Sequence, residues 1–210
     1  MSAVPQTDPL RDAIVRGDLA PNSRLVEADL SRDFSMSRGA VRTALVRLEQ
    51  EGLVTREPNR GARVRHIGDD EAVEIVQARA ALEGLAAAEA ARRIDARGAK
   101  RLEKALERHT KLIGAGDLMA ASDANAALHE LVLELSGHTT AQQLIRTLKS
   151  QTVRFQFRTI LAPGRPSASN AEHTAIVEAV VAGKPRQAEK AMRDHLFNVA
   201  ETLRSSREQR

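Results

Sequence analysis

Apolar residues recur at helical spacing through most of this 210-residue chain, and one short stretch breaks the rhythm. The clearest stripe runs through Ser37 to Leu48, SRGAVRTALVRL, where Ala40, Val41, Ala44, Leu45 and Leu48 form one face wide enough to pack on a small core. Ser37 is a good N-cap for that helix, and Gly52 a plausible stop. Two short helices precede it, at about Pro9 to Arg16 and Glu27 to Asp33. Between them Leu19 to Leu25 reads as a turn in which Asn22 can take a left-handed conformation. After Gly52 the pattern changes. Leu53 to Thr55 and Ala62 to Ile67 read as strands around a Pro/Asn/Gly turn, which makes a hairpin. From residue 70 onward the pattern is helical throughout. It predicts helices at about 70–93, 95–114, 117–136, 139–161, 169–183 and 185–205, with a loop over Ala162 to Ser169.

The fold class that follows is mainly α. An N-terminal winged helix-turn-helix with a small β-hairpin wing spans 1–68, and an all-α antiparallel bundle of about six helices spans 69–210. The polar junction Gly68-Asp69-Asp70 marks the expected boundary.

Composition narrows the function. The net charge is +4, which permits a nucleic-acid partner without requiring one. There is no Cys, so disulfides and thiolate metal sites are excluded. Met1 to Arg24 carries charges and prolines where a signal peptide needs an apolar run, and no apolar stretch reaches membrane-spanning length. The expectation is a cytoplasmic protein with no membrane partner. Trp and Tyr are absent and Phe is scarce, which argues against recognition of single strands by base stacking.

The polar face of the 37–48 helix carries Arg38, Gly39, Arg42, Thr43 and Arg47. Arg38 and Arg42 lie one turn apart and project together. Arginine can fork onto guanine in the major groove, and glycine lets the backbone approach. The hairpin adds Arg56, Arg60, Arg63 and Arg65 against Glu57, a charge pattern suited to phosphate contact. These segments, LRDAIVRGDLAPNSRL, VEADLSRDFSMSRGAVRTALVRLEQEGLV and NRGARV, resemble the GntR family of bacterial transcription regulators. The resemblance implies that Arg38, Gly39 and Arg42 meet bases or phosphates and that Arg60 and Gly61 form a wing tip entering the minor groove. Family members usually carry Gly at the position of Asn22 and Pro at that of Ala40.

In the second half, Asn125, His129, His173 and His195 stand on apolar stripes of three separate helices, so each is expected to point into the bundle. Imidazoles in an apolar core need partners, either hydrogen bonds or a divalent cation. Helix phase alone leaves both open. The segments RAALEGLAAAEAA, NAALHELVLELSGH, EHTAIVEAV and AMRDHL resemble the FCD ligand-binding domain of the FadR subfamily. Metal-binding members carry an Asp, a His four residues on, and two later His. The resemblance therefore implies a divalent metal, Zn²⁺ or a similar ion, held by Asn125, His129, His173 and His195, with Asn125 in place of the Asp. Imidazole and oxygen donors also accept Ni²⁺ or Mn²⁺. Arg79 lies on the inward stripe with Ile75 and Leu82, and either meets an effector carboxylate or pairs with Glu83 at i+4. Arg154 and Arg158 share a helix face that can meet an anion or lie in solvent. His66, His109 and His138 have no such setting.

The combined reading is a homodimeric regulator that binds double-stranded operator DNA and answers to a small carboxylate effector at a metal-linked site. A metallohydrolase with a three-histidine metal site is the competing reading, although no carboxylate accompanies the histidines in a motif such as HExxH. A nonspecific DNA-packaging protein is a third.

Overall fold

The structure is a computed structural model describing residues 8–57 and 61–208. It divides into two compact units, residues 1–67 and 68–210.

In the first unit, α1 (Pro9–Arg16) opens with Pro9 in its first turn, where a missing N–H costs nothing. Asp8 caps it, accepting from the Leu10 and Arg11 amides at 3.1 and 3.3 Å. Gly17, at φ +91°, ends it in the left-handed region. Helix α2 (Glu27–Asp33) and helix α3 (Arg38–Gln50) follow, and the Ser37 hydroxyl accepts from the Ala40 amide at 3.2 Å. Asn22 takes the positive φ its sequence context predicts, at 64°.

The stretch read as a turn, Leu19 to Leu25, also contains a two-residue strand, β1 (Arg24–Leu25). It is too short to show a period of its own. Pairing with β3 (Gly61–Val64) creates it, and β3 pairs on its other edge with β2 (Val54–Glu57), giving an antiparallel sheet in the order β1-β3-β2. Ala62 and Val64 face inward and Gly61 and Arg63 outward. The core gathers Leu10, Ile14, Leu25, Leu30, Val41, Leu45, Leu48 and Val64 from all these elements. Ala40, read as part of the packed stripe of α3, is exposed instead.

The second unit contains, among the described residues, six helices: α4 (Asp69–Arg93), α5 (Ala96–Gly114), α6 (Leu118–Ser136), α7 (Thr139–Ile160), α8 (Arg165–Val181) and α9 (Pro185–Glu208). Helix α4 packs against α6, α7, α8 and α9 and is the axis of the bundle. Its alanines make this possible: Ala80, Ala86, Ala87 and Ala90 are fully buried and let neighbouring helices approach. At Gly84 α9 comes close to α4. A Cβ there would lie 2.7 Å from Cγ of Arg193 and 3.3 Å from the Glu189 carbonyl on α9. The loop before α8 is shorter than the sequence implies. Pro166 falls within the first turn of α8, a position proline tolerates, so Arg165 is helical and buried. Among the described residues, no helix is long and apolar enough to cross a membrane.

Leu48 is fully buried where α3 meets the sheet core. Leu48→Ala is expected to destabilise the N-terminal unit by about 2–5 kcal/mol through lost burial and a residual cavity. Urea denaturation followed by circular dichroism checks this, and a change under about 1 kcal/mol would place the side chain in a site that collapses freely.

Candidate functional site

Two faces of the molecule concentrate chemistry. On α3, Val41, Ala44, Leu45 and Leu48 are buried, while Arg38, Gly39, Arg42, Thr43 and Arg47 are exposed. Gly39 has no heavy atom within 4 Å of where a Cβ would sit, so this surface is open for close approach. The Thr43 hydroxyl donates to the Gly39 carbonyl at 3.1 Å. Arg42 is held from behind: its Nε donates to Glu27 Oε2 of α2 at 2.7 Å. That contact occupies Nε and orients the guanidinium, and leaves the terminal nitrogens to other partners. Arginines of the hairpin serve the unit as well. Arg63 donates to the Asn22 carbonyl at 3.1 Å and Arg65 to the Gly52 carbonyl at 3.4 Å, while Arg56 pairs with Glu49 at 3.6 Å. Gly61 is exposed at φ +85°, a conformation that favours glycine. Arg60 lies outside the described residues.

The second face is internal. The structure brings His129 of α6, His173 of α8 and His195 of α9 together, with one donor atom of each within 4.8 Å of the others. All three are buried. His129 Nε2 and His173 Nε2 stand 3.2 Å apart. Two nitrogens bound to one ion at about 2.0–2.1 Å would be roughly 3.0–3.4 Å apart. The opposite nitrogens of two rings are already committed. His129 Nδ1–H donates to Glu83 Oε2 of α4 at 2.6 Å, and His195 Nδ1–H donates to Glu172 Oε2 of α8 at 2.6 Å. A carboxylate can only accept, so both rings carry their proton on Nδ1 and turn an Nε2 lone pair toward the cluster. Carboxylates in this relation fix the orientation and basicity of metal-ligating histidines.

These carboxylates are themselves neutralised. Glu83 is 1% exposed and accepts from Arg79 Nε and Nη2, both at 2.8 Å. Glu172 takes a two-pronged contact from Arg165, both bonds 2.8 Å, and a bond from Asn198 Nδ2 at 2.9 Å. Burial opposes ionisation of Glu83, but Arg79 and His129 outweigh it and hold its pKa far below the usual carboxylate range. Burial likewise opposes Glu172, and the bonds from His195 and Arg165 bring its pKa down to about 2. Burial lowers the pKa of His195 to about 4 despite the bond to Glu172, and pushes His129 and His173 down also. The cluster is therefore neutral imidazole at neutral pH, the form that ligates metals.

Two buried polar atoms of this unit have no hydrogen-bond partner among the described residues: Asn125 Oδ1, one turn before His129 on α6, and His173 Nδ1. Asn125, His129 and His195 line one cavity of about 100 Å³. An unsatisfied carbonyl oxygen in the cavity shared with the histidines fits a divalent ion of the Zn²⁺ type.

The other expected site residues distribute unevenly. Arg79 lines the cavity and also makes the i+4 pair with Glu83. Arg158 instead pairs with Asp69 at 2.5 Å and donates to Ser206 Oγ at 2.9 Å. The side chain of Arg154 lies outside the described residues. His109 of α5, given no role from the sequence, is buried with its ring centroid 4.9 Å from that of His173, and its Nδ1–H donates to Asn170 Oδ1 at 3.0 Å. The signal existed: His109 follows buried Leu102 by seven and precedes Ile113 by four. Glu83 was legible too, on the stripe with Ile75 and Arg79. Glu172 was not, because no spacing ties it to His195.

A winged three-helix unit with an exposed basic helix face, followed by a helical unit with an internal His cluster, is the architecture of a DNA-binding regulator with a second domain. Comparison with known proteins identifies its lineage. The family described as "Bacterial regulatory proteins, gntR family" matches residues 7–64, and the FCD domain matches residues 74–198. This chain belongs to the GntR family of bacterial regulatory proteins and carries an FCD domain, an arrangement of the FadR type. It is 27% identical over 200 residues to the HTH-type transcriptional repressor RspR of Escherichia coli (strain K12), covering 95% of this chain and 88% of that one. It is 29% identical over 217 residues to the HTH-type transcriptional regulator LutR of Bacillus subtilis (strain 168), covering 90% and 95%. The solved structure of E. coli McbR/YncC shares the fold, with a TM-score of 0.76 at 20% identity over 93% of each chain. The protein is a DNA-binding transcription regulator and not an enzyme, which sets aside the metallohydrolase reading.

The titrations generate a prediction. His195 and Glu172 both have folded pKa values below their ordinary values of 6.5 and 4.5. On acidification the unfolded chain therefore binds protons first, and stability falls as pH falls. In metal-free protein the loss from His195 runs from about pH 6.5 to 4, and that from Glu172 from about 4.5 to 2. The urea midpoint should decline through both windows, and Glu172→Gln should lower it at pH 7 and flatten the lower window. A midpoint constant between pH 6.5 and 4 would contradict a neutral histidine cluster.

Proposed function

We propose that this regulator binds an inverted-repeat operator as a homodimer and that a small organic acid, bound beside a divalent metal in the FCD domain, modulates that binding. Protein symmetry would match operator symmetry, with one α3 in each half-site. Arg38 and Arg42 would read base edges, Gly39 and Thr43 would allow and support close approach, and Arg60 with Gly61 would enter the minor groove from the wing. The relatives named as repressors favour repression as the sign of regulation.

The observation that carries the metal reading is the pair of histidines whose Nδ1–H groups are fixed by carboxylates, buried Glu83 and half-buried Glu172, beside the unsatisfied oxygen of Asn125. His129, His173 and His195 would hold the ion, with Asn125 supplying a neutral oxygen. Zn²⁺ suits three imidazoles, and Ni²⁺ or Mn²⁺ remains compatible with the donor set. Bound there, the ion would act as a Lewis acid with open positions for a carboxylate oxygen. An effector can change operator affinity only by preferring one conformational state of the dimer over another.

Two measurements test this. Elemental analysis of untagged protein is expected to find about one equivalent of metal, which His195→Ala abolishes. Asn125→Asp, adding a charge, is expected to tighten metal binding. Absence of metal in the wild type, even after addition, would reduce the histidines to core or direct ligand-contact residues. Separately, Arg42→Ala should weaken binding to a site selected from random DNA by about 1–3 kcal/mol, and unchanged affinity would remove its base-reading role.

A further inference from the structure

The cavity of the helical unit is lined by three cations, Arg79, Lys149 and Arg165, and among the described residues that line it there is no Asp or Glu. Two of these cations are already matched. Arg79 is neutralised by Glu83 and Arg165 by Glu172, and the same carboxylates hold His129 and His195. Lys149 of α7 is different. Its ammonium makes no hydrogen bond or ion pair with a described residue, although burial pushes its pKa down and the more distant Glu83 pulls it up. Lys149 is half-buried, and a partly desolvated ammonium without a direct counter-ion favours an anion entering the cavity.

The cavity lining therefore offers two groups that favour anionic oxygen: the histidine cluster with Asn125, and the Lys149 ammonium. The same lining includes apolar and hydroxyl groups, among them Val76, Ser122, Thr152 and Phe155. The cavity volume of about 100 Å³ limits the occupant. An engineered cavity of about 150 Å³ accepts benzene, so a ligand here is short, with part of it in the open mouth.

We propose that Lys149 receives the second carboxylate of the effector, and that the effector class is a short-chain dicarboxylic acid of about three to four carbons. This rests on the reading that the histidine cluster holds a metal, which takes the first carboxylate. It reassigns the effector contact from Arg158, which is committed to Asp69, to a residue about two and a half turns earlier on the same helix. Lys149 was legible by phase: it lies on a stripe with buried Ala141, Ile145 and Thr152.

The test is titration calorimetry on the full-length protein, first with ZnCl₂ and then, on the zinc-loaded form, with malonate, succinate, propionate and butyrate. Wild type is expected to take up one zinc and to bind a diacid about tenfold or more tighter than the monoacid of equal length. Lys149→Met should keep zinc stoichiometry without lowering the thermal midpoint but erase that margin, and Lys149→Arg should restore part of it. Equal diacid affinity in wild type and Lys149→Met, or zinc-loaded wild type with no preference for diacids, overturns the proposal while leaving the metal site standing. Failure to take up zinc overturns the metal reading and this proposal with it.

Discussion

An ionised carboxylate inside an apolar bundle must be paired and hydrogen-bonded, and the helical unit is arranged around two that are. Glu83 and Glu172 each face a guanidinium on one side and an imidazole on the other. Removing either arginine would leave an uncompensated charge, and removing either carboxylate would free a ring to rotate and change tautomer. The consequence for chemistry is that His129 and His195 present lone pairs inward before any ligand arrives. A site prepared in this way loses little freedom when it binds, which is where affinity is most easily gained.

The DNA-binding unit solves the opposite problem. Side chains that meet DNA must stay in solvent, and here the fold fixes the scaffold and leaves the α3 arginines exposed. The apolar stripe of α3 locks into a core drawn from three helices and three strands, and the exposed stripe inherits its orientation from that packing. Glu27 extends this control one step outward by gripping Arg42 at Nε. An exposed pair of this kind adds little stability; its effect is to narrow the directions in which the guanidinium can point.

Helix positions were largely legible because period, caps and breakers agreed. Pro9, Gly17, Ser37, Gly52 and Pro185 all punctuate the chain where elements begin or end. What failed did so for tertiary reasons. Strand β1 is two residues long and exists through its partner, β3. The start of α8 was hidden because Pro166 reads as a loop residue when it is in fact in a first turn. In the site, phase placed His129, His173 and His195 toward the core, but phase on one helix carries no information about the next. Their convergence, the arrival of His109, and the bond from His195 to Glu172 are properties of how helices cross. Arg79 illustrates the same limit: both readings of it contained part of the arrangement, since it lines the cavity and pairs with Glu83 at once.

The cluster is also a statement about when the domain becomes whole. Glu83 and His129 are 46 residues apart, His129 and His173 are 44 apart, and Glu172 and His195 are 23 apart. With His109 on α5 and Lys149 on α7, each of the six helices described in this unit sends at least one group to the same small volume. Such a site closes only after long chain loops have closed, so it has no counterpart in a half-folded protein. Whatever binds there acts as a non-covalent knot tied across the entire sequence of the domain. It recognises the finished bundle, and by mass action it draws the population of nascent or loosened chains toward that state.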